Sequence, residues 1–95
     1  MTADAKLLKQ SLKVDYDDED ELIEELVMQA RAAAEDYVGA EYPIEETPPL
    51  MRAAIQLMAG YFFEHRSDAG GKEYKDMRSA FNNLLYSMRE NDVMI

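Results

Sequence analysis

The most continuous apolar segment of the chain lies between residues 50 and 63. Three residues interrupt this segment at intervals of four, and a fourth follows just beyond its end. They are Arg52, Gln56, Gly60 and Glu64. On a helix such a spacing forms one narrow stripe that turns by about 40° per step. A helix that is polar on so narrow a stripe packs against neighbours on most of its circumference. We therefore predict a central helix that begins at Pro49, where proline is favoured, ends near Arg66, and turns this stripe to solvent.

A second helix is predicted from about residue 18 to Val38. Its apolar residues repeat at the i, i+3, i+4, i+7 spacing of a single buried face. They are Leu22, Ile23, Leu26, Val27, Ala30, Ala33, Ala34, Tyr37 and Val38. Gly39 follows immediately, and glycine commonly ends helices in the left-handed conformation.

Two further helices complete the pattern. A short one is expected over residues 4–13, with Leu7, Leu8 and Leu12 on its buried side. A longer one is expected over 73–89, with an apolar stripe of Tyr74, Met77, Phe81, Leu84, Leu85 and Met88. The connector at 40–47 contains Pro43, which blocks helix continuation, and Thr47, a candidate cap for the central helix.

No segment alternates apolar and polar residues as a strand would, and no internal repeat is present. The predicted fold class is therefore all-α, a four-helix small domain that spans residues 1–95. An apolar tail, residues 91–95, has no obvious place in the helical core.

Composition narrows the classes of function. The chain has no cysteine, so disulfides and thiolate metal sites are excluded. No apolar run approaches the roughly 20 residues of a membrane span, and the first residues do not resemble a signal peptide, which predicts a cytoplasmic site of synthesis. A formal net charge of −10 opposes tight binding to nucleic-acid phosphates or anionic membranes.

Eight carboxylates and no base lie between Asp15 and Glu25. Alternating acids at the start of this segment resemble the first ligands of an EF-hand, but Asp20 stands where that loop needs glycine and Leu26 where it needs glutamate. The interpretation favoured by helix chemistry is that Asp17 or Asp18 caps the second helix. The acids Glu19, Asp20 and Glu21 would then lie in its positively polarised first turn.

Catalytic chemistry is not indicated. The single histidine, His65, stands between Glu64 and Arg66 without an identifiable nucleophile, and the Gly70–Gly71 pair lacks the context of a phosphate-binding loop. We expect no enzymatic activity, no cofactor and no bound metal.

Four stretches, taken in order, resemble one known family. They are LKQSLKVDYDDEDELIEELVMQARAAAEDYVG at 8–39, the proline pair at 48–49, AAIQLMAGYFFEHR at 53–66 and LLYSMR at 84–89. This order is similar to that of the small head-tail connector (adaptor) proteins of tailed bacteriophages, of the DNA-packaging type. Phe63 and His65 stand where the family usually has Tyr and Asn. Ser87 and Met88 replace a usual Pro-Tyr, so the last helix is free to run on.

The resemblance implies a structural virion protein that forms a ring between portal and tail, assembled in the host cytoplasm. Its partners would be further copies of itself, the portal protein, and a head-closure or tail-completion protein, with DNA only as passing cargo. The candidate assembly contacts are Gly60, Arg66, Val93, Met94 and Ile95. A candidate acidic cluster, which either lines the ring's lumen or is an outward helix cap, comprises Asp15, Asp17, Asp18, Glu19, Asp20 and Glu21.

A different class of function is also compatible with the composition. A soluble acidic helical module, such as a DNA-mimicking inhibitor of a nucleic-acid enzyme, would need its charge at the contact surface. It would act as a monomer or dimer instead of a ring.

Overall fold

The chain folds into four α-helices, with no strand among the residues described. A computed structural model describes residues 1–65 and 71–93, with side chains up to residue 89. The helices are α1 (Ala3–Ser11), α2 (Asp20–Val38), α3 (Pro49–Glu64) and α4 (Lys72–Val93), and a short 3₁₀ helix, Ile44–Glu46, lies in the connector between α2 and α3. The all-α prediction is confirmed. The last helix continues past Ser87 and Met88, where no proline interrupts it. It also includes residues 91–93, which the sequence analysis placed in the apolar tail. Arg66, Met94 and Ile95 lie outside the described residues.

Local chemistry explains most of the helix ends. The Thr2 hydroxyl accepts a hydrogen bond from the Ala5 N–H and so caps α1. At the other end, Lys13 adopts φ 59°, and the Val14 and Lys13 N–H groups donate to the Lys9 and Gln10 carbonyls. This is a Schellman ending built without glycine. Helix α2 ends at Gly39, with φ 84°, as predicted.

Three details of the sequence-based prediction are wrong. The N-cap of α2 is Glu19 and makes no side-chain cap hydrogen bond, so neither Asp17 nor Asp18 caps this helix. Thr47 does not cap α3, because Pro48 holds that position. Leu7 is 42% exposed, whereas Leu8 is buried and Leu12 packs against the core as predicted, and Ala5 completes the buried side of α1.

Helices α2 and α3 form the centre of the fold. Both α1 and α4 pack against this pair, and they do not contact each other within the described residues. The result is a flat molecule with principal dimensions of 46 × 33 × 16 Å. Its two flanks, α1 and α4, are therefore separate surfaces.

The core is made of the predicted apolar faces. Its largest fully buried apolar side chains are Phe81, Ile23, Met51, Ile55 and Leu85. Alanines at 30, 34, 54 and 59 are completely buried, which lets the backbones of α2 and α3 approach closely. At the far end of α3, Phe62 stacks on Tyr74 of α4, with ring centroids 6.2 Å apart.

The polar stripe of α3 faces water only in part: Glu64 is exposed as predicted, whereas α1 lies against the other three members. Gln56 donates a 2.8 Å hydrogen bond to the Asp4 carbonyl, Arg52 lies against the Asp4 carboxylate, and Gly60 lies beneath Leu8. All three contacts are with α1. Leu50 and Ala53 are exposed on α3. The helix is therefore rotated relative to the expectation, because α1 covers part of the stripe while Arg52 stays 35% exposed.

This rotation can be tested by truncation along α3. Ile55→Ala, at a fully buried position, should lower the free energy of unfolding by about 2–5 kcal/mol, and Leu57→Ala, at a partly buried one, by less. Gln56→Ala should cost about 1 kcal/mol, because the Asp4 carbonyl loses its donor. Urea unfolding measures all three. A Gln56 variant as stable as wild type would show that this stripe faces water after all.

Candidate functional site

The most unusual buried group in the molecule is the carboxylate of Asp4, which is only 2% exposed. Its Oδ1 atom lies 3.0 Å from Nε of Arg52, and its Oδ2 atom lies 3.7 Å from a terminal nitrogen of Arg31. Neither contact has the geometry of a hydrogen bond, so both are contacts between charges. A buried carboxylate is tolerated only when it is compensated in this way. We call Asp4, Arg31 and Arg52 the ion-pair hub.

The hub also fixes the connector between α2 and α3. The Arg31 guanidinium donates 2.9 Å hydrogen bonds to the Tyr42 carbonyl and to the Thr47 hydroxyl. Arg52 donates a longer one, 3.4 Å, to the Ile44 carbonyl. Two arginines therefore hold three helices and the loop between them in one arrangement.

The N-terminus of α1 is attached independently to α2. The Thr2 N–H and hydroxyl donate to the two carboxylate oxygens of Glu24, at 2.9 and 3.0 Å. Toward the other end of α1, Lys9 contacts Asp17 and Asp20, each at 2.8 Å. Since α1 buries only Ala5 and Leu8 as apolar residues, these polar contacts supply much of what holds it in place.

Sequence reasoning missed the hub. Asp4 has the appearance of an ordinary first-turn acid, and Arg52 that of a solvent-facing residue. The available signal was the presence of single charged residues on otherwise apolar helix faces, namely Arg31 within the alanine-rich part of α2 and Arg52 in α3. Such residues predict a buried partner of opposite sign, but they do not identify it.

The acidic cluster predicted at residues 15–21 is divided by the structure. Asp15, Asp17 and Asp18 are exposed in the loop before α2, whereas Asp20 and Glu21 begin the helix. The hydrogen bond from Lys9 lowers the pKa of Asp17. The contribution of this pair to stability is therefore present above the ordinary pKa of Asp17 and is lost as pH falls through the lowered one. Because the Asp17 side chain is 88% exposed, added salt should weaken the attraction between Lys9 and Asp17.

Gly60, predicted to be an assembly contact, has a neighbour within its own chain. A Cβ atom added there would lie 3.5 Å from the Leu8 Cδ1 atom, which is ordinary van der Waals contact. The glycine therefore leaves room for α1, and a methyl group would still fit. Whether Gly60 also contacts another subunit stays a prediction.

His65 ends α3 and belongs to a local contact. Its Nδ1 atom is 3.0 Å from the Tyr61 carbonyl, and its Nε2 atom is 3.0 Å from the Glu73 carboxylate. The ring also stacks on Tyr61. These contacts tie the end of α3 to the start of α4.

Two negative findings apply to residues 1–65 and 71–93. No group of three or more histidine, aspartate or glutamate side chains there is arranged to hold a metal ion. No helix in the same residues is long and apolar enough to cross a membrane.

Removal of the Asp4 carboxylate should be strongly destabilising. In Asp4→Ala, Arg31 and Arg52 lose their shared partner, and we expect the free energy of unfolding to fall by about 3 kcal/mol. This value is at the low end for broken buried ion pairs, because Arg52 keeps access to water. Asp18→Ala, at an exposed position, is the matched control and should stay within about 0.5 kcal/mol of wild type. Thermal unfolding measures both. Equal stability of the two variants would contradict a structural role for the hub.

Substitutions at Gly60 should depend on size. Gly60→Ala should be neutral or stabilise by up to about 1 kcal/mol, because alanine favours helix. Gly60→Leu should displace α1 and speed amide hydrogen exchange in residues 5–9. Ala53→Leu, on the exposed side of the same helix, is the control for bulk alone. Unchanged exchange in Gly60→Leu would leave the glycine without a packing role.

The chain is similar to a known protein family. A family model described as phage gp6-like head-tail connector protein matches residues 3–91, a range that includes the hub, the acidic loop and nearly all of α4. No curated protein and no solved structure matches the chain significantly.

Proposed function

The chain belongs to the phage gp6-like head-tail connector proteins, and from this premise we propose that it is the subunit of a ring between portal and tail through which the phage genome passes. Membership makes it a structural protein of the virion that interacts with other head or tail proteins. The ring, the identity of the portal and head-closure or tail-completion proteins as its partners, and the passage of DNA are the proposed part. The observation that carries the proposal is the family match over almost the full chain.

The distribution of charge supports the passage of DNA. Thirteen of the twenty carboxylates lie between residues 15 and 46, a segment whose only base is Arg31. That arginine pairs with Asp4 and with Glu35, so within this segment it compensates only one of the thirteen acids. A surface of this kind repels phosphates and would leave a duplex free to slide.

We assign the lumen to the loop that precedes α2. Its exposed acids Asp15, Asp17 and Asp18 project from the start of a helix whose body is held rigidly by the core. Glu19, Asp20 and Glu21 of the predicted cluster lie at the helix start itself. An outward solvated loop is the alternative, and it would place no acid near DNA.

Val93, Met94, Ile95 and Arg66 stay proposed contacts to a neighbouring subunit or the portal. Val93 is the last residue of α4, at the end of a 22-residue helix that is longer than α3 by six residues. Met88 still packs against the core, so the proposed contact begins in the last turn of α4.

The proposal can be tested in the phage that encodes the chain. Interruption of the gene should yield heads and tails that accumulate separately, because the junction is missing, and the wild-type gene supplied in trans should restore joined particles. Electron microscopy of the particles measures this. The neck of wild-type virions should contain the chain as a closed ring. Normal joining of tails without the chain would overturn the proposed function, and its presence as single copies would overturn the ring.

A further inference from the structure

Arg31 is held in place by groups other than Asp4. Its guanidinium donates to the Tyr42 carbonyl and to the Thr47 hydroxyl, each at 2.9 Å, and its Nε atom lies 3.6 Å from a Glu35 carboxylate oxygen. All three partners lie in α2 or in the connector that follows it. The position of this guanidinium therefore does not depend on α1.

Arg52 is held in a similar way, though less firmly. It donates a 3.4 Å hydrogen bond to the Ile44 carbonyl of the connector. Its helix, α3, is fixed in the core by neighbours such as Met51, which is completely buried. The connector thus contacts both guanidinium groups of the ion-pair hub without help from α1.

Each arginine presents one buried nitrogen to the Asp4 carboxylate. Nη1 of Arg31 lies 3.7 Å from Oδ2 of Asp4, and Nε of Arg52 lies 3.0 Å from Oδ1. Neither nitrogen has a hydrogen-bond partner among the residues that the structure describes. Guanidinium N–H groups bind carboxylates well, and here two of them face the two oxygens of one carboxylate. The arrangement has the chemistry of a carboxylate-binding site.

Helix α1 occupies this site with little apolar support. Of its nine residues only Ala5 and Leu8 are buried apolar side chains, and a helix of this length is not stable alone. It packs on α2 and α3 but has no contact with α4 within the described residues. Its pair between Lys9 and Asp17 is exposed on the Asp17 side. Since few apolar contacts would be lost, α1 can leave as a unit while α2, α3 and α4 stay packed together.

We propose that Arg31 and Arg52 form a carboxylate receptor that is complete without α1, and that α1 is its exchangeable occupant. The receptor accepts a short helix with a carboxylate in its first turn and a large apolar residue four positions later, as Asp4 and Leu8 are. Gly60 leaves the space for that apolar residue. The α1 segment of a second copy carries the same groups at the same spacing. It is therefore the alternative occupant, and such an exchange of identical elements needs no new kind of contact.

A synthetic peptide of residues 1–14 serves as the α1 segment of a second copy. It should bind the Asp4→Ala chain at least about tenfold more tightly than the wild-type chain, because the wild-type receptor is already occupied. Fluorescence anisotropy of a peptide labelled at its C-terminal end measures both affinities. The same peptide with Asp4→Asn should bind the Asp4→Ala chain at least about tenfold more weakly, since a neutral amide does not pair with the arginines.

Small carboxylates test the receptor without the helix. Sodium formate should raise the melting temperature of the Asp4→Ala chain more than sodium chloride at the same concentration does, because formate fills the place of the missing carboxylate. Adding Arg52→Gln to Asp4→Ala should abolish that difference between the two salts. The control is Asp18→Ala, in which the two salts should act alike because the receptor is occupied.

Amide hydrogen exchange shows whether α1 is a separate unit. In Asp4→Ala, exchange in residues 5–9 should become at least about tenfold faster, while residues 23–34 and 77–85 of the core stay protected. Loss of protection in the core as well would mean that the receptor needs α1, and would overturn the inference. Equal binding of the peptide to both chains, equal binding of its Asn form, or equal effects of formate and chloride would also show it to be wrong. None of these results changes tail joining, so the ring connector is tested separately.

Discussion

One buried carboxylate organises the fold. Asp4 would be too unfavourable to bury alone, so its position between Arg31 and Arg52 determines where α1 can lie. The same two arginines hold the connector through the carbonyls of Tyr42 and Ile44. A hydrophobic core alone would permit α1 to slide or rotate, because it buries few apolar side chains there. The charge pairing specifies one arrangement, and that in turn fixes the path of the loop that enters α3.

The helices and their buried faces were predictable from sequence, and their polar contacts were not. The apolar periodicity of α2 and α4 leaves few alternatives for which side is buried, so Ile23, Val27, Phe81 and Leu85 are core residues as predicted. The stripe of Arg52, Gln56 and Gly60 is different, because a polar stripe on a helix is compatible with water and equally with a polar partner. The partner here lies 52 residues earlier in the chain for Gln56. Local spacing contains no information about a contact at that distance.

The acidic segment before α2 was also predicted correctly only in part. The charge of the segment from 15 to 21 was evident, and the first turn of α2 does contain Asp20 and Glu21. The capping role predicted for Asp17 or Asp18 is wrong because the helix begins later, with Glu19 at the N-cap. The Asp17 carboxylate contacts Lys9 of α1 instead, a partner that local helix preferences do not reveal. The family resemblance was predicted from the order of several loose motifs and is confirmed by the match over residues 3–91.

The parallel alignment of α1 with α3, in which Asp4 lies at Gln56 and Leu8 at Gly60, has a consequence for the order in which the protein folds during synthesis. Helix α1 is synthesised before α2 and α3, yet at nine residues it is too short to be stable alone. The α3 residue Gln56, which holds the Asp4 carbonyl, is made 52 residues after Asp4. In the interval α2 can form and can offer Glu24 and Arg31, but Asp4 still lacks Arg52. Helix α1 therefore stays uncommitted until α3 appears, and it reaches its final place after helices that are synthesised later.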